Sequence, residues 1–293
     1  MKSLITDRAG KFSYLKALLL AGLAAPLAYL LYRAAIHDLG PLPYKEALHR
    51  VGDWAVRFLV LALALTPLQR ALNAPRLALI RRMAGVGAFS YAALHFLLFV
   101  ANSNFKLGFV ASEIALRIYL TIGFVALLGL SALAATSTDG MLRRLGARWK
   151  TLHRLVYGIA VLALVHYFLQ SKIDVSQAVI YSGLFITLMI IRLALRYRLA
   201  LTPTRLVALA AAGGLATAAL EATWYGLTTG VDPWRILKAN AAVTFGLRPA
   251  VIVLLAGLGL AAAAWLWPRL RVALPKSLPL PGRRTTDTPV ARP

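Results

Sequence analysis

Two histidines, His95 and His166, each stand alone inside a long apolar stretch, and a third, His153, precedes the second by thirteen residues. An imidazole at bilayer depth is costly and needs a partner. The partner that two imidazoles on separate helices of a membrane bundle most often share is haem iron. His95 lies about twelve residues into its apolar stretch and His166 near the end of its own, with both stretches running in the same direction. At 1.5 Å per residue the two reach a similar depth. Matched depth on two helices is what bis-imidazole ligation of one haem requires. The competing reading is a buried histidine bonded to a serine, threonine or backbone carbonyl of a neighbouring helix. Position alone leaves both open. A proton relay would want Asp or Glu in series with His, and neither occurs inside these two stretches.

His153 differs. Thirteen residues place it about 20 Å from His166 along a helix and well around its axis. It cannot share an iron with His166. It either serves a second haem or sits in the membrane interface beside Arg154 and Trp149. His37 and His49 fall in or near the first loop, where residues 44–54 read as an amphipathic segment on the membrane surface. Glu113 and Arg117, at i and i+4, read as a surface ion pair.

The elements that position these residues follow from composition. The 293 residues are 60% hydrophobic and 15% charged, with a mean hydropathy of +0.71. Soluble domains run about 45–50% apolar and about 25% charged. Backbone in hydrocarbon must satisfy its own hydrogen bonds, and these stretches do not alternate, so they are expected as helices rather than barrel strands. The fold class expected is all-α, a polytopic transmembrane helix bundle. Eight spans are predicted, near 14–32, 54–72, 83–101, 118–136, 153–170, 176–194, 204–222 and 249–267. The basic residues before the first (Lys2, Arg8, Lys11 and Lys16) resemble a signal peptide, but the apolar run reaches Tyr32. That exceeds a usual h-region, so an uncleaved first span is expected.

A net charge of +23 would suggest nucleic acid in a soluble chain. Here the cations cluster between alternate apolar stretches, so no nucleic-acid partner is expected. Of the 33 Lys and Arg, 23 fall at the two ends and in the segments 70–82, 143–154 and 192–205. The positive-inside rule makes that side, with both termini, cytoplasmic. Tyr and Trp near span ends read as interfacial anchors in the lipid bilayer. The absence of cysteine removes disulfides, iron–sulfur clusters, covalent haem attachment and thiol catalysis. No internal repeat and no nucleotide-binding glycine fingerprint stand out.

Read in order, the motifs are His49-Arg-Val-Gly52, Thr66-Pro67-Leu68, Arg81-Arg82 leading to Leu94-His95, and Glu113 through Arg117 to Tyr119-Leu-Thr121. Thr136-Ser137-Thr138, Leu145-Gly146, Trp149, Leu152-His153-Arg154, Val156-Tyr157 and His166-Tyr167 follow. This series resembles the MsrQ (YedZ) family, haem-binding proteins within the ferric-reductase-like transmembrane superfamily. The resemblance covers about residues 12–198, and the stretch from Thr136 to Tyr167 is its most specific part.

The resemblance implies a bacterial inner-membrane protein that holds haem b, with FMN also ascribed to the family. It implies electron transfer from the quinone pool to MsrP, a periplasmic molybdopterin enzyme that reduces methionine sulfoxide in oxidised proteins. His95 and His166 would be axial ligands of an outer haem, and His153 matches a histidine assigned to an inner one. Relatives with two stacked haems carry a second histidine thirteen or fourteen residues before the His95 equivalent, where this chain has Arg82 and Arg81. A second bis-histidine haem is therefore not expected, and the implied role of Arg81 and Arg82 is contact with haem propionates or flavin phosphate.

The expected organisation is a six-helix haem-binding core over 1–200, a two-helix extension over 201–270 and a disordered cytoplasmic tail over 271–293. A typical family member ends after six spans. The extension is either a lipid-facing addition or a docking surface. Two rival functions remain: a reductase of metal or oxygen, which would want an FAD/NAD domain, and a transporter or structural membrane protein without haem.

Overall fold

The computed structural model describes residues 5–6, 10–171, 174–240, 242 and 246–273. The helices run α1 (Tyr14–Ala35), α2 (Pro43–Ala71), a 3-10 helix (Pro75–Leu79), α3 (Arg81–Asn102), α4 (Leu107–Leu116), α5 (Ile118–Ala135), α6 (Asp139–Leu145) and α7 (Ala147–His153). They continue with α8 (Val156–Gln170), α9 (Ser176–Arg196), α10 (Pro203–Thr229), α11 (Pro233–Asn240) and α12 (Pro249–Ala273). No β-sheet occurs among the described residues. Eight helices are long and apolar enough to cross a membrane, with α7 and α8 counted as one. Leu18, Leu97, Leu128 and Leu215 point outward on four of them. An apolar exterior of this extent suits hydrocarbon. The protein is a multi-pass, all-helical membrane bundle, with its clustered cations at one end, called here the basic end, and α4 and α11 at the far end.

The expected spans correspond one to one with these helices, and two boundaries differ instructively. Residues 44–54, expected as a separate surface segment, are the first turns of α2, which is continuous from Pro43. Proline at the first helical position nucleates that end, and nothing from 44 to 66 interrupts the ladder. At about 43 Å by helical rise, α2 outreaches a hydrocarbon core of about 30 Å. The fifth span starts earlier than expected, at Ala147, but breaks at Arg154–Leu155. The tail from residue 274 lies outside the described residues.

Two helix ends are set by local chemistry. Gly146, at φ +50°, turns α6 into α7, a conformation in which a Cβ is disfavoured. The Thr138 hydroxyl caps α6 by accepting from the Met141 amide at 3.2 Å.

The core forms where α2, α3, α5, α8 and α9 meet, around Phe58, Tyr91, Leu130, Leu164 and Leu188. Within it α2 lies along α3 and α5 along α8, and the two pairs face each other. The extension is packed into the bundle. A Cβ on Gly183 of α9 would meet the Thr217 hydroxyl of α10, and one on Gly213 of α10 would meet the Thr187 hydroxyl of α9. Each threonine donates to the carbonyl of the glycine four residues before it. This reciprocal Gly-xxx-Thr crossing brings two backbones together through small residues. α12 then packs on α10 where Gly257 meets Ala210. α10 thus packs against α9 and α12 on one side, while Leu215 on the other faces outward.

Candidate functional site

His95 on α3 and His166 on α8 face each other across the two helix pairs, with ring centroids 6.3 Å apart and ring planes at 77°. Each ring is held from behind in the same way. His95 Nδ1–H donates to the Leu48 carbonyl of α2 at 2.8 Å, and His166 Nδ1–H donates to the Tyr119 carbonyl of α5 at 2.8 Å. Fixing Nδ1 as the donor leaves Nε2 as the basic nitrogen, the usual arrangement behind a metal-ligating imidazole.

Each ring lies against a glycine one helical turn beyond that carbonyl. A Cβ on Gly52 would stand 2.7 Å from His95 Nδ1, and a Cβ on Gly123 would stand 2.7 Å from His166 Nδ1. Each histidine follows its acceptor carbonyl by 47 residues. The site is therefore built from two copies of one local device: carbonyl, glycine at i+4, then histidine on the partner helix. The copies share spacing rather than residue pattern, so composition and motif reading pass over them. The equal spacing of Gly52 to His95 and Gly123 to His166 was the available signal.

The donor set fits a haem. An imidazole–metal bond is about 2 Å, and the ring centre lies about 1 Å behind the nitrogen, so imidazoles on opposite sides of one metal have centroids about 6 Å apart. Among the described residues no three His, Asp or Glu side chains converge. Two neutral ligands from opposite sides suit an iron whose other positions a macrocycle fills. Phe96 and Phe124, each next to a site residue, pack together with ring centroids 5.6 Å apart.

Beyond the rings lies a polar group toward the far end. Tyr167, next to His166, donates to Asp53 Oδ1 at 2.7 Å, and Asp53 is next to Gly52. Arg57 Nε donates to the Tyr181 hydroxyl at 2.8 Å while its guanidinium lies over Trp54 at 4.6 Å. The sequence reading passed over this cluster, because its members are far apart along the chain.

The other expected site residues are not brought to this pair. His153 ends α7, with Nε2 3.2 Å from the Thr136 hydroxyl and its ring stacked on Trp149 at 3.8 Å. Trp149 in turn donates to the Thr136 carbonyl. The Thr136 and Trp149 motifs thus build the seat of His153. Arg81 and Arg82 begin α3, about 20 Å from His95 by helical rise. Arg81 donates to Gln69 at 2.8 Å, and Arg82 pairs with Asp139 of α6.

Residues 51–164 match the family model described as ferric reductase like transmembrane component. A membrane bundle with facing intramembrane histidines is the class this defines. Three relatives bear the name protein-methionine-sulfoxide reductase heme-binding subunit MsrQ. That of Caulobacter vibrioides is 40% identical over 170 residues, covering 57% of this chain and 81% of its own. That of Rhodospirillum rubrum is 40% identical over 189 residues, covering 64% and 88%. The protein of Xanthomonas oryzae pv. oryzae is 37% identical over 183 residues, covering 59% and 83%. The chain belongs to the MsrQ family. No solved structure matches it.

Proposed function

We propose that this protein is the haem b electron-transfer subunit of a protein-methionine-sulfoxide reductase system, with His95 and His166 as the axial pair. The observation that carries this reading is the 6.3 Å separation of two back-bonded imidazoles on facing helix pairs. Bound there, haem would supply one-electron transfer. The chain's own contribution is ligation and electrostatics. Leu48 and Tyr119 carbonyls orient the rings and raise their basicity, and the apolar helices exclude water. Asp53 holds the Tyr167 hydroxyl proton beside His166.

Electrons enter from the quinone pool and leave to a periplasmic molybdopterin enzyme, MsrP, that reduces methionine sulfoxide. The supporting arguments are the family's name as a reductase subunit and the position of both rings toward the far end. With the basic end cytoplasmic in a bacterial inner membrane, the far end faces the periplasm. His153 is the candidate for a second haem, and Arg81 and Arg82 for propionate contacts or the phosphate of FMN. Residues 1–200 form the electron-carrying core and 201–270 its extension.

The test is the absorbance spectrum of protein purified after haem-replete expression. A dithionite-reduced b-type α-band is expected, lost in both His95→Ala and His166→Ala. A colourless wild type, or variants with unchanged bands, would sink the assignment. Haem per protein in His153→Ala separates one haem from two.

A further inference from the structure

A second site lies at the basic end, away from the two imidazoles. A cavity of about 670 Å³ opens where the end of α2, the start of α8 and the end of α9 diverge. Four arginines line it: Arg70 from α2, Arg154 beside α8, and Arg192 and Arg196 from α9. Among the described residues none of them pairs with a carboxylate, and no acidic residue lines the cavity.

Arg192 distinguishes this site from cations left at a membrane surface. A surface arginine extends its guanidinium outward to water. Arg192 instead points between helices, and the cause is Pro67. Proline has no N–H, so the Leu63 carbonyl four residues earlier loses its helical donor. Arg192 Nη2 donates to that carbonyl from α9. The guanidinium is held further by the Tyr157 ring at 5.3 Å. So fixed, Arg192 keeps Nε buried with no acceptor among the described residues. The fixed Arg192 is thus an arginine held at the cavity rather than one extended into water.

We propose that this cavity binds a phosphate group. Four guanidinia without a carboxylate partner among the described residues gather at this cavity, and one of them, Arg192, is fixed by its backbone contact. A dianionic or monoanionic phosphate suits this set, because its oxygens accept several charge-assisted bonds from planar forks. Thr66 and Tyr157 also line the cavity, while Met189, Leu193 and Leu195 give it an apolar wall. An arginine pocket between spans at the cytoplasmic level is a site for an acidic phospholipid headgroup. A soluble phosphate presents the same chemistry, and the two sources are separable.

The experiment is thermal unfolding of the purified protein with two probes. One arm compares vesicles of phosphatidylcholine with vesicles that also contain phosphatidylglycerol. The other compares inorganic phosphate with chloride in neutral detergent at equal ionic strength. Wild type is expected to gain Tm in at least one arm. In Arg192→Gln, and in the double variant Arg70→Gln/Arg196→Gln, the apparent affinity should fall at least about tenfold per lost charge-assisted bond. The double variant leaves the Leu63 contact intact, so it decides the matter if Arg192→Gln folds poorly. Gain with phosphatidylglycerol alone assigns a lipid, and gain with phosphate alone assigns a soluble ligand. No gain in either arm, or a gain that the double variant keeps in full, overturns the site. The haem spectrum is independent of this readout.

Discussion

At the scale of residues, the bis-imidazole site depends on what is missing as much as on what is present. Gly52 and Gly123 leave room for His95 and His166 to reach the carbonyls behind them. A methyl at either position would stand 2.7 Å from Nδ1, so the ring must turn and its bond to Leu48 or Tyr119 must open. Crowding of this kind costs about 1–3 kcal/mol. Gly52→Ala and Gly123→Ala are therefore expected to fold yet retain haem roughly ten- to hundredfold less tightly. The check is haem content and the reduced spectrum after dilution, with Gly85→Ala as control, since its Cβ meets nothing within 4 Å. Glycine variants that keep haem as well as Gly85→Ala does would contradict the role. The histidines were legible in the sequence because charged and imidazole groups are rare in an apolar span. The glycines were not, because glycine in a membrane helix serves close packing of many kinds, and only the fold shows which ring occupies the space. Asp53 and Tyr167 were illegible for a related reason: 114 residues separate them.

At the scale of elements, length and hydropathy made the eight helices legible, because a bilayer imposes one length on every span. Their joints were less so. The run-on of α2 from Pro43 and the break between α7 and α8 come from backbone ladders that continue or stop regardless of hydropathy. The extension shows what hydropathy hides altogether. Glu221 of α10 is 2% exposed, a carboxylate in a stretch whose average hydropathy is that of a membrane span. Its carboxylate accepts from Asn240 of α11 at 2.7 Å and from Arg248, just before α12, at 3.1 Å. Three helices of the extension are thus tied at one carboxylate near the far end. Breaking one partner leaves a buried charge unmatched, a loss of about 3–5 kcal/mol. Arg248→Leu should lower Tm substantially, whereas Arg248→Leu combined with Glu221→Leu should recover much of the loss. An additive double variant would show that the pair is not the tie.

At the scale of the whole molecule, function depends on direction, since a carrier must present its haem to the correct compartment. The charge pattern supplies an expected direction: cations cluster at the basic end, which the positive-inside rule would put in the cytoplasm. On the proposed orientation both imidazoles would lie nearer the periplasm, and the arginine cavity would lie at the level of the anionic inner leaflet. Absence of cysteine makes this directly testable, because any introduced thiol is the only one in the chain. Lys106 and Arg148 are both exposed, the first beside α4 at the far end and the second in α7 at the basic end. Lys106→Cys should react with a membrane-impermeant maleimide in spheroplasts, while Arg148→Cys should react only after the membrane is opened. Lys106 is one cation among the minority at the far end, so its loss strengthens the charge bias and leaves topology undisturbed. The reverse labelling would turn the molecule over. It would place both imidazoles near the cytoplasm and remove the geometric basis for a periplasmic electron acceptor.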